Sequence, residues 1–333
     1  MVKKMFVVLF SIVALLTLTA CADDVDEIED KVDEIDTADE ADDVEEEIVE
    51  VKPHHLEEVD EPLDGLEVHF IDTGQSEDIL IRSAEATILM NTAISDTSYE
   101  TESPIPYLES QLVDEIDLLI STSGRPHYHH HLPDILERFP IKESWMPTHE
   151  PMHGLAENIY NETLAAFQTH DISPYTPLTG ETRTIGDIHL EVIYSASHAE
   201  DPLIVKVTYG DMSYMLAGMG EHPISAEVWQ SDVDLRSTVW KASYHSQHNN
   251  VEFLKAVDPK VAIILSGEST LHPHHTLIDR IDAFGIDEYG TLGHGTIVIS
   301  TDGKSYHIET ETKPTSVDPY HRPDDHKPRS LKK

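Results

Sequence analysis

Four histidines fall within five positions of one another: His127, His129, His130 and His131. Neutral imidazole is the commonest protein ligand for transition metals, and His127-x-His129-x-His131 has a ligand-like spacing. A single Zn²⁺ needs only three protein ligands plus a water, so this loop alone could begin a metal site. Further histidines follow at His245, His248, His272, His274 and His275. Metal-assisted hydrolysis also needs a proton acceptor, and Glu221 and Asp201 are the candidates. The plain alternative is a solvated histidine cluster, since the chain carries 22 histidines and chance runs are expected. Serine-type catalysis has no support. Ser123 and Ser246 lie near histidines, but no Gly-x-Ser-x-Gly elbow exists.

The elements around the cluster say how it would be positioned. Ile116 to Ile120 is an apolar strand, Ser121 to Pro126 a turn-rich loop, and Leu132, Ile135, Leu136 and Phe139 recur at helical spacing. In open α/β folds, ligands sit in the crevice at the carboxyl ends of strands, which is where this loop falls. Before it, the sequence predicts strands at Leu66–Phe70, from Ile79 and at Thr87–Met90, then a helix over Ile105–Val113. After it come a strand at Ile141–Met146 and an amphipathic helix over Asn158–His170. The second half repeats the pattern: strands at Ile188–Tyr194, Leu203–Tyr209 and Met212–Leu216, the last pair joined by a Gly210-Asp211 hairpin turn. A helix at Ala226–Trp229, a strand at Val239–Trp240, a helix at Val251–Val257, a strand at Val261–Leu265, a helix at Leu277–Phe284 and a final strand at Gly295–Ser300 complete it. Strand-rich halves that each carry helices imply two sheets packed face to face with helices outside, an α+β, four-layer αββα sandwich. Within strands, His69 and His307 are expected at the surface of a half-exposed sheet.

The net charge is -42, and residues 22–64 supply about half of it, with 22 acids against Lys31 and Lys52. Such a surface disfavours nucleic acid, whose binding rests on lysine and arginine displacing phosphate counterions. The N-terminus reads as an address. Lys3 and Lys4 precede an apolar run from Phe6 to Leu18, too short to favour a permanent span. It ends in Leu18-Thr19-Ala20-Cys21, which resembles a bacterial lipobox, and Cys21 is the only cysteine. The expected organisation is a lipoprotein signal peptide at 1–21 with lipidation at Cys21, an acidic tether at 22–64, a folded domain at 65–310, and a disordered proline-containing tail at 311–333. The expected partner is the membrane, through the lipid anchor, on the extracytoplasmic side. No small-molecule or protein partner is identified by the sequence.

The order of landmarks resembles the metallo-β-lactamase fold, and most closely the hydrolase-like domain of the ComEC family of competence proteins. The carriers are Val68-His69-Phe70-Ile71-Asp72-Thr73-Gly74-Gln75, Asp117 to Thr122, Leu132-Pro133-Asp134, Thr208-Tyr209-Gly210-Asp211 with Leu216-Ala217-Gly218, Leu271-His272-Pro273, and Gly295-Thr296-Ile297-Val298. The resemblance spans about residues 66–308 and implies a metallo-β-lactamase-like sandwich with a two-metal hydrolase site. That site uses a His-x-His-x-Asp-His loop, an aspartate after the central hairpin, and later histidines. In register between Thr122 and Leu132, those loop positions are Ser123, Arg125, His127 and Tyr128. Arg125 puts a permanent positive charge where a dication would sit. The post-hairpin aspartate is replaced by Met219, the histidine pair by Tyr244-His245, and the aspartate ending the third strand by Asn91; His272 alone is unchanged. Tyr128 and Tyr244 read as packing groups.

Two-metal catalysis therefore does not carry over, and no catalytic residue or cofactor is assigned. The leading reading is a non-catalytic binding or structural module on a hydrolase fold, since fold and function separate readily. The alternative is a metal-dependent, phosphodiesterase-like hydrolase with a rebuilt Zn or Mn site at His127, His129, His131, His245 and His272. A third reading has the same histidines hold a metal without turnover.

Overall fold

A computed structural model of the chain describes residues 56–92, 101–123, 129–147, 155–195, 203–218, 228, 233–242, 251–267 and 275–313. Among the described residues, fifteen strands make two sheets. The first runs β1 (Glu57–Glu58), β15 (Ser305–Thr310), β14 (Ile297–Thr301), β2 (Leu66–Phe70), β3 (Ile79–Arg82), β4 (Thr87–Met90), β5 (Ile116–Ile120), β6 (Ile141–Trp145). The second runs β13 (Asp287–Gly290), β12 (Val261–Ile264), β11 (Val239–Ala242), β10 (Met212–Ala217), β9 (Ile204–Tyr209), β8 (Ile188–Tyr194), β7 (Thr182–Ile185).

Period-two alternation sorts each strand's side chains between two faces. Val68, Phe70, Ile79, Ile81, Ile88, Leu118 and Ile120 of the first sheet meet Leu190, Val205, Val207, Tyr214, Leu216 and Val261 of the second in the central core. The alternate residues, Leu80, Leu89 and Leu119, face outward under α1 (Ile105–Ser110), α2 (Leu132–Arg138) and α3 (Leu155–Thr169), through Leu108, Ile135, Leu136 and Phe167. On the other side Met215, Trp240, Ala262 and Ile264 pack under α4 (Val251–Val257) and α5 (His275–Phe284), through Phe253, Leu254, Leu277 and Ile281. This is the expected four-layer αββα sandwich. Helical crossovers join the parallel pairs β4–β5, β5–β6, β11–β12 and β12–β13, as parallel strands require.

Several boundaries differ from expectation. The first helix ends at Ser110, where Leu112 takes a left-handed φ of 56° and the turn closes through Val113 N–H to the Leu108 carbonyl. Leu56 to Asp64, within the stretch expected to be tether, belongs to the fold: Glu57–Glu58 pairs in parallel with Ser305–Tyr306, and the Leu63 N–H donates to Ser300 Oγ. The final strand is β15, antiparallel to β14. Glu311 and Thr312, placed by the sequence in the tail, are tied by backbone bonds to the carbonyls of Thr296 and His294. Strands β7 and β13 were not anticipated either. The signal segment, the rest of the tether, the helix expected at Ala226–Trp229 (save Val228) and residues 314–333 lie outside the described residues. No helix among the described residues is long and apolar enough to cross a membrane.

Candidate functional site

The carboxyl ends of β4, β5, β10 and β11 converge where the two sheets meet, and a chain of specific contacts ties them together. Asn91, just past β4, is buried and left-handed at φ 64°, a conformation asparagine tolerates better than most residues. Its Oδ1 accepts from the backbone N–H (3.0 Å) and the hydroxyl (2.8 Å) of Thr122, while its Nδ2 donates to the Glu77 carbonyl at 3.0 Å. Thr122 then reaches the second sheet: its carbonyl accepts from Leu203 N–H, and the Leu203 carbonyl accepts from Gly218 N–H. A Cβ on Gly218 would collide with the Thr122 side chain, so this close approach requires glycine.

A second link is ionic. In β11, Val239 faces the central core and Trp240 the outer helices, so alternation puts Lys241 on the inner face at the rim. Its ammonium lies 2.5 Å from Glu77 Oε2 and donates to the Ala217 carbonyl at 2.9 Å, and both side chains are buried, at 1% and 2% exposure. Burial pushes the lysine below its ordinary pKa, and the Glu77 carboxylate opposes that shift. The rim therefore contains a buried lysine–glutamate pair, its lysine hydrogen-bonded to the residue two before Met219. Thr73 Oγ1 donates to the buried Asp78 at 2.6 Å, bracing the loop that carries Glu77.

The histidine loop enters this rim. His129 is wholly buried, contrary to a solvated cluster, and its Nε2 lies 2.9 Å from the Ser123 carbonyl. A carbonyl only accepts, so Nε2 carries the proton and is not a ligand atom in this arrangement. His131 caps the start of α2, its backbone N–H donating to the Thr92 carbonyl at 3.1 Å. Its ring stacks edge-on to His130 with centroids 4.7 Å apart, and its Nδ1 lies 3.6 Å from Asp134. Burial, then the neighbouring His130, lowers its pKa. Asn91, Ser123, His129 and His131 are thus brought together at one rim. Cys21, Arg125, His127, Tyr128, Met219, Tyr244, His245 and His272 lie outside the described residues, as do Asp201, Glu221, Ser246, His248 and His274, and the side chain of His275. Among the described residues no three histidines, cysteines or acids are grouped so as to hold a metal ion.

Sequence reasoning missed Lys241 and Glu77. The available signal was a lysine inside the otherwise apolar Val239-Trp240-Lys241-Ala242, and an acid just ahead of the buried Ile79. His69 is also corrected: it is 3% exposed, with Tyr107 Oη at 2.8 Å from Nδ1 and Glu67 Oε2 at 3.4 Å from Nε2. Its cover comes from α1, which strand alternation does not reveal. His307 stays half-buried, with Nδ1 donating to the Val59 carbonyl at 2.8 Å.

No family model matches the chain, and no curated protein matches it. Among solved structures it is similar to the metallo-β-lactamase-fold protein YhfI from Bacillus subtilis, at 10% identity and a TM-score of 0.45, covering 68% of this chain and 96% of that one. It is similar to a diphosphatase of the PhnP family at 11% identity and a TM-score of 0.45, covering 71% and 98%. It is also similar to CmlA, a diiron β-hydroxylase from Streptomyces venezuelae, at 11% identity and a TM-score of 0.47, covering 73% of this chain and 55% of that one. At such identities the likeness concerns chain path and says nothing of chemistry.

Proposed function

We propose that this chain is a membrane-anchored extracytoplasmic lipoprotein, acylated at Cys21, whose ComEC-like, metallo-β-lactamase-type domain acts as a binding or structural module without two-metal catalysis. The observation that carries the reading is the commitment of Asn91. A metal-bound carboxylate needs a free oxygen aimed at the ion, whereas this carboxamide spends its oxygen on Thr122 and its nitrogen on the Glu77 carbonyl. His129 spends its Nε2 on the Ser123 main-chain carbonyl. The rim keeps the contacts that join its strands and uses them for cohesion. The acidity of the chain favours partners other than nucleic acid.

One observation favours the alternative of a rebuilt Zn or Mn site with phosphodiesterase-like chemistry. His131 Nε2 is buried and finds no hydrogen-bond partner among the described residues. In that reading His127, His129 through its Nδ1, His131, His245 and His272 would supply nitrogens, and a bound metal would polarise the substrate and lower the pKa of a water.

Metal analysis of the untagged chain beginning at Ala22 separates the two. The expected result is well under one equivalent of Zn or Mn, and no hydrolysis of a generic phosphodiester beyond that of a His272→Ala control. Two equivalents per chain, or one equivalent with hydrolysis that His272→Ala abolishes, would overturn the proposal.

A further inference from the structure

The outer face of the first sheet is not evenly covered. Helices α1, α2 and α3 pack over the outward residues of β3, β4 and β5, while the outward faces of β2, β14 and β15 beyond α1 are left open as a cleft of about 630 Å³. That volume is within the range of small-molecule pockets. At its base His69 and Tyr107 are joined by a 2.8 Å hydrogen bond, with Glu67 behind the imidazole. Ile71, Pro106 and Val298 add apolar surface.

Charge in the cleft is one-sided. Glu67, Asp72, Glu102, Glu309 and Glu311 line it, and none of its lining residues is lysine or arginine. The carboxylates feel one another. The Asp72 carboxyl is raised first by partial desolvation and then by Glu311 and Glu102. The Tyr107 phenol is pushed up to about 12, first by burial and then by Glu67 and Glu311. Arg82 approaches Glu67 from outside, at 3.8 Å, and spends its Nη1 on the Gln111 carbonyl, so it relieves only that edge.

We propose that this cleft is a binding site for a small organic polycation of the polyamine class, its ammonium groups spread among the carboxylates and its methylenes lying over Tyr107, Val298 and Pro106. The chemistry selects this class over a metal ion, because no three acids or histidines among the described residues are grouped closely enough to coordinate one. Distributed carboxylates suit distributed ammonium groups, and an aromatic ring at the base adds a cation–π face. Apolar strips between the acids suit methylene spacers, which a hydrated divalent ion cannot use. The site is on the helix-covered side of the sheet, so the proposal does not depend on whether the rim between the sheets holds metal.

Calorimetric titration of the full chain with spermidine at 0.15 M NaCl tests it, a salt level at which the Debye length is about 8 Å and diffuse attraction to an acidic surface is largely screened. One saturable site per chain is expected, weakened about tenfold in Glu102→Gln/Glu311→Gln. Affinity is expected to be unchanged in Asp114→Asn/Glu137→Gln, which removes the same charge from exposed positions outside the cleft. Thermal melting of both variants checks that they fold. Weak, unsaturable binding that responds equally to both double variants would assign the attraction to bulk charge and overturn the proposal. So would Mg²⁺ or Ca²⁺ binding the cleft more tightly than spermidine.

Discussion

Asn91 shows how one amide can hold the rim that joins two sheets. Its left-handed backbone is tolerated by asparagine and aspartate alike, so the side chain is what distinguishes the two at this position. Asn91→Asp would restore a carboxylate at the end of β4, where the family resemblance expects one. It would also remove the N–H that bonds the Glu77 carbonyl and set an anionic oxygen against that carbonyl. The expected outcome is a loss of about 1–3 kcal/mol in denaturant unfolding, the cost of a buried group left unsatisfied, with no gain in bound metal. Unchanged stability together with new metal uptake would show that the amide is incidental and the site dormant. Nothing in the sequence disclosed this. An asparagine after an apolar strand reads as a turn residue, and its three partners come from two other segments.

At the scale of elements, the rim depends on strands of different sheets meeting through Glu77 and Lys241. Replacing Lys241 by methionine leaves the Glu77 carboxylate buried without its ammonium, and breaking a buried pair from one side costs about 3–5 kcal/mol. Lys241→Met should therefore unfold at markedly lower urea, and adding Glu77→Gln should recover most of the loss. A double-mutant cycle reads the coupling, and additive effects would mean the pair contributes nothing as a pair. The elements themselves were legible wherever burial imposed a pattern. Leu66–Phe70, Ile188–Tyr194 and Val261–Ile264 alternate or run apolar because one or both faces are covered, and the structure finds a strand at each. What escaped was polar and short. Glu57–Glu58, Thr182–Ile185 and Asp287–Gly290 sit at sheet edges, where pairing is one-sided and no core dictates residue type. Strand β15 was expected only through His307 and without bounds, since Ser305-Tyr306-His307-Ile308 alternates only weakly and precedes a polar terminus. The loop was legible between its strand and helix, yet His129 is wholly buried and bonded to the Ser123 carbonyl, a contact spacing cannot express.

For the whole molecule, a net charge of -42 sets a repulsive background against which every contact operates. Among the described residues several exposed carboxylates are paired, as in Arg138–Glu109 and Lys142–Glu115, but over the whole sequence acids outnumber bases by 64 to 22. Raising NaCl from about 0.01 M to about 1 M shortens the screening length from roughly 30 Å to roughly 3 Å. The melting temperature should rise by several degrees over that range, since self-repulsion is damped more than the few surface pairs are weakened. A melting temperature that fell or stayed level would place the stabilising electrostatics in the surface pairs instead.

The two-residue ladder between Glu57–Glu58 and Ser305–Tyr306 has a mechanical meaning. Any tension entering the chain ahead of Leu56 reaches this short parallel pairing, and the Val59 bond to the Tyr306 carbonyl beside it, before it reaches β2. The first strand can peel away under pull while Leu63 remains fastened to Ser300 and the sandwich stays closed. Release of that strand alone would leave the rim between the sheets undisturbed by drag on the chain ahead of Leu56.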